Sequence, residues 1–503
     1  MAPFSLLFLL PLLLIPIIML LLSNRTKTPS PFPKSYPLIG MEIARYKNTT
    51  NRMQWMTDIL KVTPSLTFTF RRFFLFPSSI VTANPANVQH ILKTSFSNYE
   101  KGPHFRSTFL DFLGHGIFNA DGDNWKFQRQ VASHEFNTKS LRKFVETVVD
   151  VELRDRLKPL LVSAAEKNSV LDLQDVLQRF AFDNICEIAF GYDPAYLSTS
   201  LIESEFAKAF EHSALLTSKR TLSIFQTWKL KRIFQLGSEK QLSSDVARVR
   251  DLARNIVKNK KLELEKKSSD SSSSDDLLSR FLSSGHSDEA FMVDIVISFI
   301  LAGRDTTSAA LSWFFWLVFN NPRTETEILN EISQRSDLNS FEDVRELIYT
   351  HAALLESMRL YPPVPADGKH AINDDVLPDG TKVKKGMTVT YHPYAMGRME
   401  ELWGADWAEF KPERWLEKDE MSSTGNKVKL VVVDAYKYPV FQAGPRICLG
   451  KEMAYLQMKR VVAGVLSEFR VVPAVEGFEP QITVTLTTKM LGGFPVRFVK
   501  RTT

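Results

Sequence analysis

A chain of 503 residues that is 44% hydrophobic, with 36 Phe, has ample apolar material for a large interior and excludes a disordered or fibrous protein. The net charge of +6 is modest, and no basic tract exceeds short runs such as Lys258 to Lys261, which excludes a nucleic-acid binder and suits an anionic membrane face or an acidic electron-transfer partner. Two cysteines, Cys186 and Cys448, even if paired, exclude a disulfide-stapled secreted fold.

The N-terminus carries the compartment signal. Phe4 to Leu22 is apolar apart from Ser5, long enough as a helix to cross a hydrocarbon core at ~1.5 Å per residue, and it lacks the charged start and cleavage site of a signal peptide. Arg25, Lys27 and Lys34 follow it, which places the remainder of the chain in the cytosol. Pro29, Pro31, Pro33 and Pro37 form a stiff extended hinge, so the expected organisation is an anchor at 1–24, a hinge at 25–37 and one large domain at 38–503. The sequons at Asn24 and Asn48 would stay unmodified in that topology.

Within the domain no linker or repeat breaks the chain. Ser65–Phe70 alternates as a strand and Ile80–Thr82 is a second. Apolar residues at three- and four-residue spacing predict helices over Thr138–Leu161, Leu173–Phe190, Ser238–Glu265 and Asp294–Asn320, with a solvated Ser/Asp loop at Lys266–Asp276. Short strands recur at Lys382–Val383, Thr388–Tyr391 and Pro480–Leu486, so the fold class is mainly α with small β-sheets (α+β).

Chemistry concentrates in four places. Trp125-Lys-Phe-Gln-Arg129 puts an indole N–H and a guanidinium one helical turn apart, a pair suited to a carboxylate. The helix over Asp294–Asn320 is apolar nearly all round yet holds Ala302-Gly-Arg-Asp-Thr-Thr307 at its middle; two ionisable residues there argue against a membrane span. Gly303 beside a hydroxyl that bonds back to the preceding turn would loosen the helix and leave room for a small ligand. Glu356 and Arg359 share a helical face that ends at Tyr361-Pro-Pro, and Phe410-Lys-Pro-Glu-Arg414-Trp follows.

The fourth is Phe441-Gln-Ala-Gly-Pro-Arg446-Ile-Cys448-Leu-Gly450. A metal-ligating thiolate needs close backbone N–H groups, which Gly444 and Gly450 permit, and Arg446 offers a cation to a haem propionate. The amphipathic run Lys451–Phe469 puts Cys448 just before a helix N-terminus, where the dipole favours negative charge. Cys448 has no Cys or His neighbours at zinc-ligand spacing, and no nucleotide-binding glycine pattern occurs in a strand-to-helix setting. His134 is read as structural.

Taken in order, these motifs resemble the cytochrome P-450 superfamily from Leu38 to the C-terminus. The resemblance implies that fold, as a single haem-thiolate domain behind a transmembrane helix. It also implies haem b on Cys448, with Phe441, Gly450, Arg446, Trp125 and Arg129 around it and either Lys369 or His370 as a further propionate partner. By the same resemblance Thr306 hydrogen-bonds dioxygen, Asp305 helps relay protons, and Glu356, Arg359 and Arg414 form a buried network behind the cysteine loop. The intact dioxygen-handling residues argue against the haem-thiolate isomerases and dehydratases.

Longer strings, Trp125 to Asn137, Phe182 to Cys186 and Tyr391 to Met399, look like the plant fatty-acid ω-hydroxylases, in the branch that also contains the jasmonoyl-amino-acid hydroxylases. The implied protein sits on the endoplasmic reticulum as a single-pass membrane protein, with its catalytic domain in the cytosol. It would use O2 and electrons from NADPH, delivered by NADPH-cytochrome P-450 reductase docking on the basic face around Cys448. The expected substrate is a fatty acid, with a jasmonoyl conjugate as the alternative; a membrane-tethered haem or lipid carrier without turnover is the rival of another class. Lys101, His104 or Arg106, read as part of a loop, would hold the carboxylate. Phe105, Phe118, Phe299, Ala302, Val364, Leu486 and Met490 would line the channel.

Overall fold

The apolar run from Met292 to Val318 has no polar face to offer water, so it can be stable only with protein on every side. In the computed structural model it is the core of a 31-residue helix, Glu289–Phe319, whose first turn is capped by the Asp288 carboxylate accepting from the Ala290 N–H. Asp294, expected to open the helix, lies inside it, and its carboxylate accepts from the His115 N–H and from Arg250, both at 2.8 Å. The structure describes residues 32–198, 201, 204–223, 226–267, 276–285, 288–338, 340–418 and 428–501. The segment Phe4–Leu22, the anchor at 1–24 and part of the hinge lie outside the described residues, as does most of the Ser/Asp loop. Among the described residues no helix is long and apolar enough to cross a membrane.

Around the central helix pack Leu173–Phe190, Ser238–Lys267, Ile348–Leu360 and Lys451–Leu466. Leu173–Phe190 has the predicted bounds: Asp172 caps its start, and Gly191 at φ +59° ends it in the left-handed conformation. Thr138–Glu166 is one helical run interrupted by π segments at Phe144–Val149 and Leu153–Leu157, the second just before Pro159, which has no N–H to donate. Several helices stand where none was assigned from the sequence, among them Gly102–Leu113 and Glu205–Arg220. Lys101, His104 and Arg106 therefore stand at the start of a helix and not in a loop.

The sheets are small and lie beside the helical body. The largest orders Thr67–Phe70, Ser79–Thr82, Thr388–Tyr391, Asp367–Ala371 and Tyr99–Glu100, with Ile80 opposite Val389 in a parallel pair and Lys369 opposite Val389 in an antiparallel one. It has its own core around Phe70, Ile80, Val88 and Tyr391. A hairpin of Ile482–Val484 and Thr488–Met490 is tied to the body by Thr488, whose N–H donates to Pro363 O at 2.9 Å.

One buried charge cluster joins these parts. Arg359 and Glu356 are fully buried and pair through two bonds, Nε to Oε2 at 2.7 Å and Nη2 to Oε1 at 2.8 Å. The remaining donors of Arg359 reach the carbonyls of Gly397, Trp407 (2.8 Å) and Glu409 (3.0 Å). Glu356 also accepts from the Lys411 N–H, Arg414 Nε at 3.3 Å and the Trp415 indole at 2.8 Å. A side chain at Gly397 would begin 2.0 Å from Arg359 O, which explains the glycine in the Tyr391–Met399 string. Trp415 packs on Tyr438, whose hydroxyl donates to Leu355 O at 2.9 Å immediately before the cysteine loop begins. Arg359→Ala removes the two-bond partner of the Glu356 carboxylate and leaves it the longer Arg414 contact as its remaining cation, at a cost of about 3–5 kcal/mol. The variant is expected to purify without haem, read as Soret absorbance per mole of protein; a haem-replete, spectrally normal variant would refute the role assigned to the pair.

Candidate active site

A cavity of about 270 Å³ lies between the cysteine loop and the middle of the central helix. The turns Pro439–Phe441 and Gly444–Arg446 and the start of Lys451–Leu466 form one wall, presenting Phe441, Arg446, Cys448 and Gly450. Ser298, Phe299, Ala302, Gly303, Thr306 and Thr307 form the opposite wall.

Cys448 is a free thiol that is open to the cavity but enclosed by protein elsewhere. Burial pushes the thiol pKa up, and the Gly450 N–H bonded to its sulfur, with Arg129 and Lys451 nearby, opposes that shift. The loop is closed by the Cys448 N–H donating to Phe441 O at 2.9 Å, and Phe441 packs on Tyr455 of the following helix. Cys186, on Leu173–Phe190, is buried and also free, so the two cysteines do not pair.

The glycines divide the work differently from the sequence expectation. Gly444, at φ +63°, lies against the Leu92 carbonyl, 2.1 Å from where a Cβ would be, so it serves the contact with His90–Thr94 and not an approach to sulfur. Gly450 supplies the N–H to sulfur, and a Cβ there would meet Phe136 at an ordinary 3.5 Å. Gly303 does not loosen the central helix, which stays α-helical throughout; its missing Cβ admits Ile185, whose Cγ1 would lie 2.5 Å away.

At one end of the cavity stand Lys101, Trp125, Arg129 and Arg446. The Arg446 guanidinium lies 4.4 Å from the Trp125 ring centre, and its Nη2 donates to Ala120 O at 3.0 Å and Asp121 Oδ1 at 2.8 Å. Lys101 bonds Asp367 at 3.1 Å, and Asp367 also accepts from Lys369 and Gln442 at 2.8 Å and from the Tyr391 hydroxyl at 3.1 Å. Despite burial, the Lys101 and Lys369 charges hold the Asp367 carboxyl well below its usual range. Lys369 is itself buried outside the cavity wall, and burial lowers its pKa to about 7, so it acts on the cavity only through Asp367. His370 packs on Gly102, also outside the wall. Neither predicted alternative lines the cavity; Lys101 and Gln442 do.

Thr306 lines the cavity, and its hydroxyl donates to Ala302 O at 2.6 Å. Asp305 does not: it is 1% exposed, its Oδ1 accepts from Arg304 Nη1 at 2.9 Å, and its Oδ2 is buried without a partner. Of the predicted channel residues, Phe118, Phe299, Ala302 and Val364 line the cavity. Phe105 stacks on Phe109, and Arg106 pairs with Asp121 at 2.9 Å. Leu486 and Met490 belong to the hairpin hung on Pro363, one layer outside the wall that Pro363 and Val364 form.

These residues fit haem b. A single thiol, Cys448, faces an apolar slot, and Trp125, Arg129, Arg446 and Lys101 gather at one end, where two propionates need cations. The buried, unpaired Oε1 of Gln442 lies at the same end.

The two loop glycines give opposite expectations. Gly444→Ala meets a backbone carbonyl at a left-handed φ and should cost about 1–3 kcal/mol in chemical unfolding, whereas Gly450→Ala has space and should stay within about 1 kcal/mol of the parent. Equal losses would contradict this division.

The cytochrome P450 family pattern matches residues 31–491. Cytochrome P450 94A1 of Vicia sativa is 60% identical over 471 residues, covering 93% of this chain and 90% of that protein. Cytochrome P450 94A2 of the same plant is 59% identical over 487 residues, covering 95% and 94%. Cytochrome P450 94B1 of Arabidopsis thaliana is 48% identical over 480 residues, covering 95% and 93%. A thiol loop opposite a threonine-bearing helix, on a chain matched almost end to end, thus establishes that the protein belongs to the cytochrome P450 family, as a haem-dependent monooxygenase fed with NADPH electrons by a reductase.

Proposed function

We propose that the protein hydroxylates fatty acids at the terminal methyl. The observation that carries this reading is the polarity of the cavity: Ile117, Phe118, Phe299, Ala302 and Val364 surround the space facing the thiol, while the cations that line it gather at the haem-propionate end. An alkyl chain is the substrate that these five apolar residues bind without needing a polar partner. The organisation that supports access to it is the expected one, an anchor at 1–24 and a hinge at 25–37 holding the domain 38–503 on the cytosolic face of the endoplasmic reticulum.

When bound, the haem supplies the redox chemistry that places one oxygen atom of O2 in a C–H bond. The chain's own residues do the remaining work. The cysteine loop presents the Cys448 sulfur with one N–H spreading its charge. Phe118, Phe299 and Val364 exclude water and orient the chain end. Turning the Thr306 hydroxyl away from Ala302 O makes it a donor toward the cavity, and Asp305, one residue before it, relays protons taken up from solvent once it leaves Arg304.

Three cations were candidates for the substrate carboxylate. Lys101 is committed to Asp367. Burial, with Arg72 nearby, lowers the His104 pKa, which disfavours the charged form that an anchor needs. Arg106 also pairs with a carboxylate, Asp121, but keeps 42% of its side chain in solvent on the helix Gly102–Leu113, where it can exchange that partner, and is the anchor in this reading.

Membranes carrying the protein and its reductase should convert laurate to the ω-hydroxy acid in preference to a jasmonoyl-amino-acid conjugate; turnover of the conjugate alone would replace the substrate assignment. Arg106→Gln should weaken laurate binding about tenfold, the worth of roughly 1.4 kcal/mol, measured by substrate-induced spectral titration; an unchanged affinity and regiochemistry would place the anchor elsewhere.

A further inference from the structure

Behind the cavity, four charged side chains form a neutral cluster between elements far apart in sequence. Glu211 comes from the helix Glu205–Arg220, Arg304 and Asp305 from the central helix, and Lys489 from the hairpin strand Thr488–Met490. Lys489 holds both Glu211 oxygens at 2.6 Å. Arg304 stands between two carboxylates, 2.9 Å from Asp305 Oδ1 and 3.7 Å from Glu211 Oε2. Its other contacts are Gln178 Oε1 at 3.5 Å and the face of Phe210 at 5.2 Å. Lys489, Arg304 and Asp305 are each at most 5% exposed, so little solvent screens the Arg304–Asp305 pair, whereas Glu211 keeps 38% of its side chain in solvent and its pull is partly screened.

The geometry is that of a shared cation whose partition is set by a third party. Lys489 neutralises Glu211 and weakens its pull on Arg304, which therefore stays on Asp305. The hairpin bearing Lys489 is fixed to Pro363 by Thr488 and to Gln174 by the Met490 N–H at 2.9 Å. Glu211 rides on a helix whose far end is held by Arg220 to Asp111 and Glu239. A shift of Glu205–Arg220 relative to the hairpin changes which carboxylate Arg304 serves.

We propose that Glu211 and Lys489 are positioning residues that divide Arg304 between Asp305 and the helix Glu205–Arg220, and so set how firmly Asp305 is held beside Thr306. The kinetic consequence rests on the reading of Asp305 as a proton relay; the thermodynamic one does not. With Lys489 neutralised, Glu211 draws Arg304 and frees Asp305. With both Glu211 and Lys489 neutralised, Arg304 belongs to Asp305 alone.

The test uses the haem-loaded full-length protein with its reductase. Lys489→Met should lower the solvent hydrogen isotope effect on laurate turnover. The double variant E211Q/K489M, which buries no unpaired charge, should raise that effect and lower kcat roughly fivefold at little changed KM. Shifts in the same direction in both variants would mark a merely structural pair and overturn the proposal. Independently of turnover, Lys489→Met and Asp305→Asn should be non-additive in the thermal unfolding midpoint although the two residues do not touch, because both act on Arg304; additive shifts overturn the proposal. An Asp305→Asn variant with an unchanged isotope effect would sink the proton-relay reading alone, and the thermal cycle would still decide the positioning claim.

Discussion

The two-bond pairing of Arg359 with Glu356, with no solvent on either side chain, is the interaction on which the rest of the site depends. Neither charge could remain in the interior alone, and each satisfies several further groups: three backbone carbonyls around Arg359, and a lysine N–H, a second arginine and an indole around Glu356. The pair therefore fixes the segment from Gly397 to Trp415 against the helix Ile348–Leu360. Through Trp415 and Tyr438 that order passes to the turn from which Cys448 projects. A buried ion pair is weak evidence for stability, since its desolvation cost is comparable to its attraction. Its value here is register, because so many directional bonds converge on one carboxylate and one guanidinium.

Opposite the thiol, the central helix meets a different demand. It must be apolar enough to be enclosed and yet, for the proposed reaction, carry groups able to move protons. Arg304, Asp305 and Thr306 divide the helix circumference: Thr306 lines the cavity, while Asp305 and Arg304 are buried in charged company on another face. The cavity stays apolar because charge is stored behind it. Asp367 does the same at the propionate end, gathering Lys101, Lys369, Tyr391 and Gln442 so that only selected donors reach the lining.

Much of this was legible in the sequence where the determinants are local. Cys448 with its flanking residues, Glu356 with Arg359 and Trp125 with Arg129 lie within a turn or two of chain, and backbone geometry brings them together once the local structure forms. The helix Leu173–Phe190 was legible to the residue from its apolar spacing, and Asp172 and Gly191 cap it. What escaped depends on chain pairing over long separations. Lys101 meets Asp367, 266 positions away, and Glu211 meets Lys489, 278 positions away. The burial of Asp367 and Lys369 had one faint signal, opposite charges two apart in a strand, which puts both on the same face. Gly303 and Gly444 were read as serving the ligand, when their absent side chains admit Ile185 and the Leu92 carbonyl.

Cys448 as the thiolate ligand of a haem lying between the cysteine loop and Thr306 is the claim that everything else presupposes. The most direct measurement is the electron paramagnetic resonance spectrum of the purified ferric protein beside that of Cys448→His. Thiolate ligation predicts a low-spin thiolate signal in the parent and its replacement by a nitrogen-ligated or high-spin signal in the variant. The same thiolate signal in both proteins, or its absence from a haem-replete parent, would contradict it.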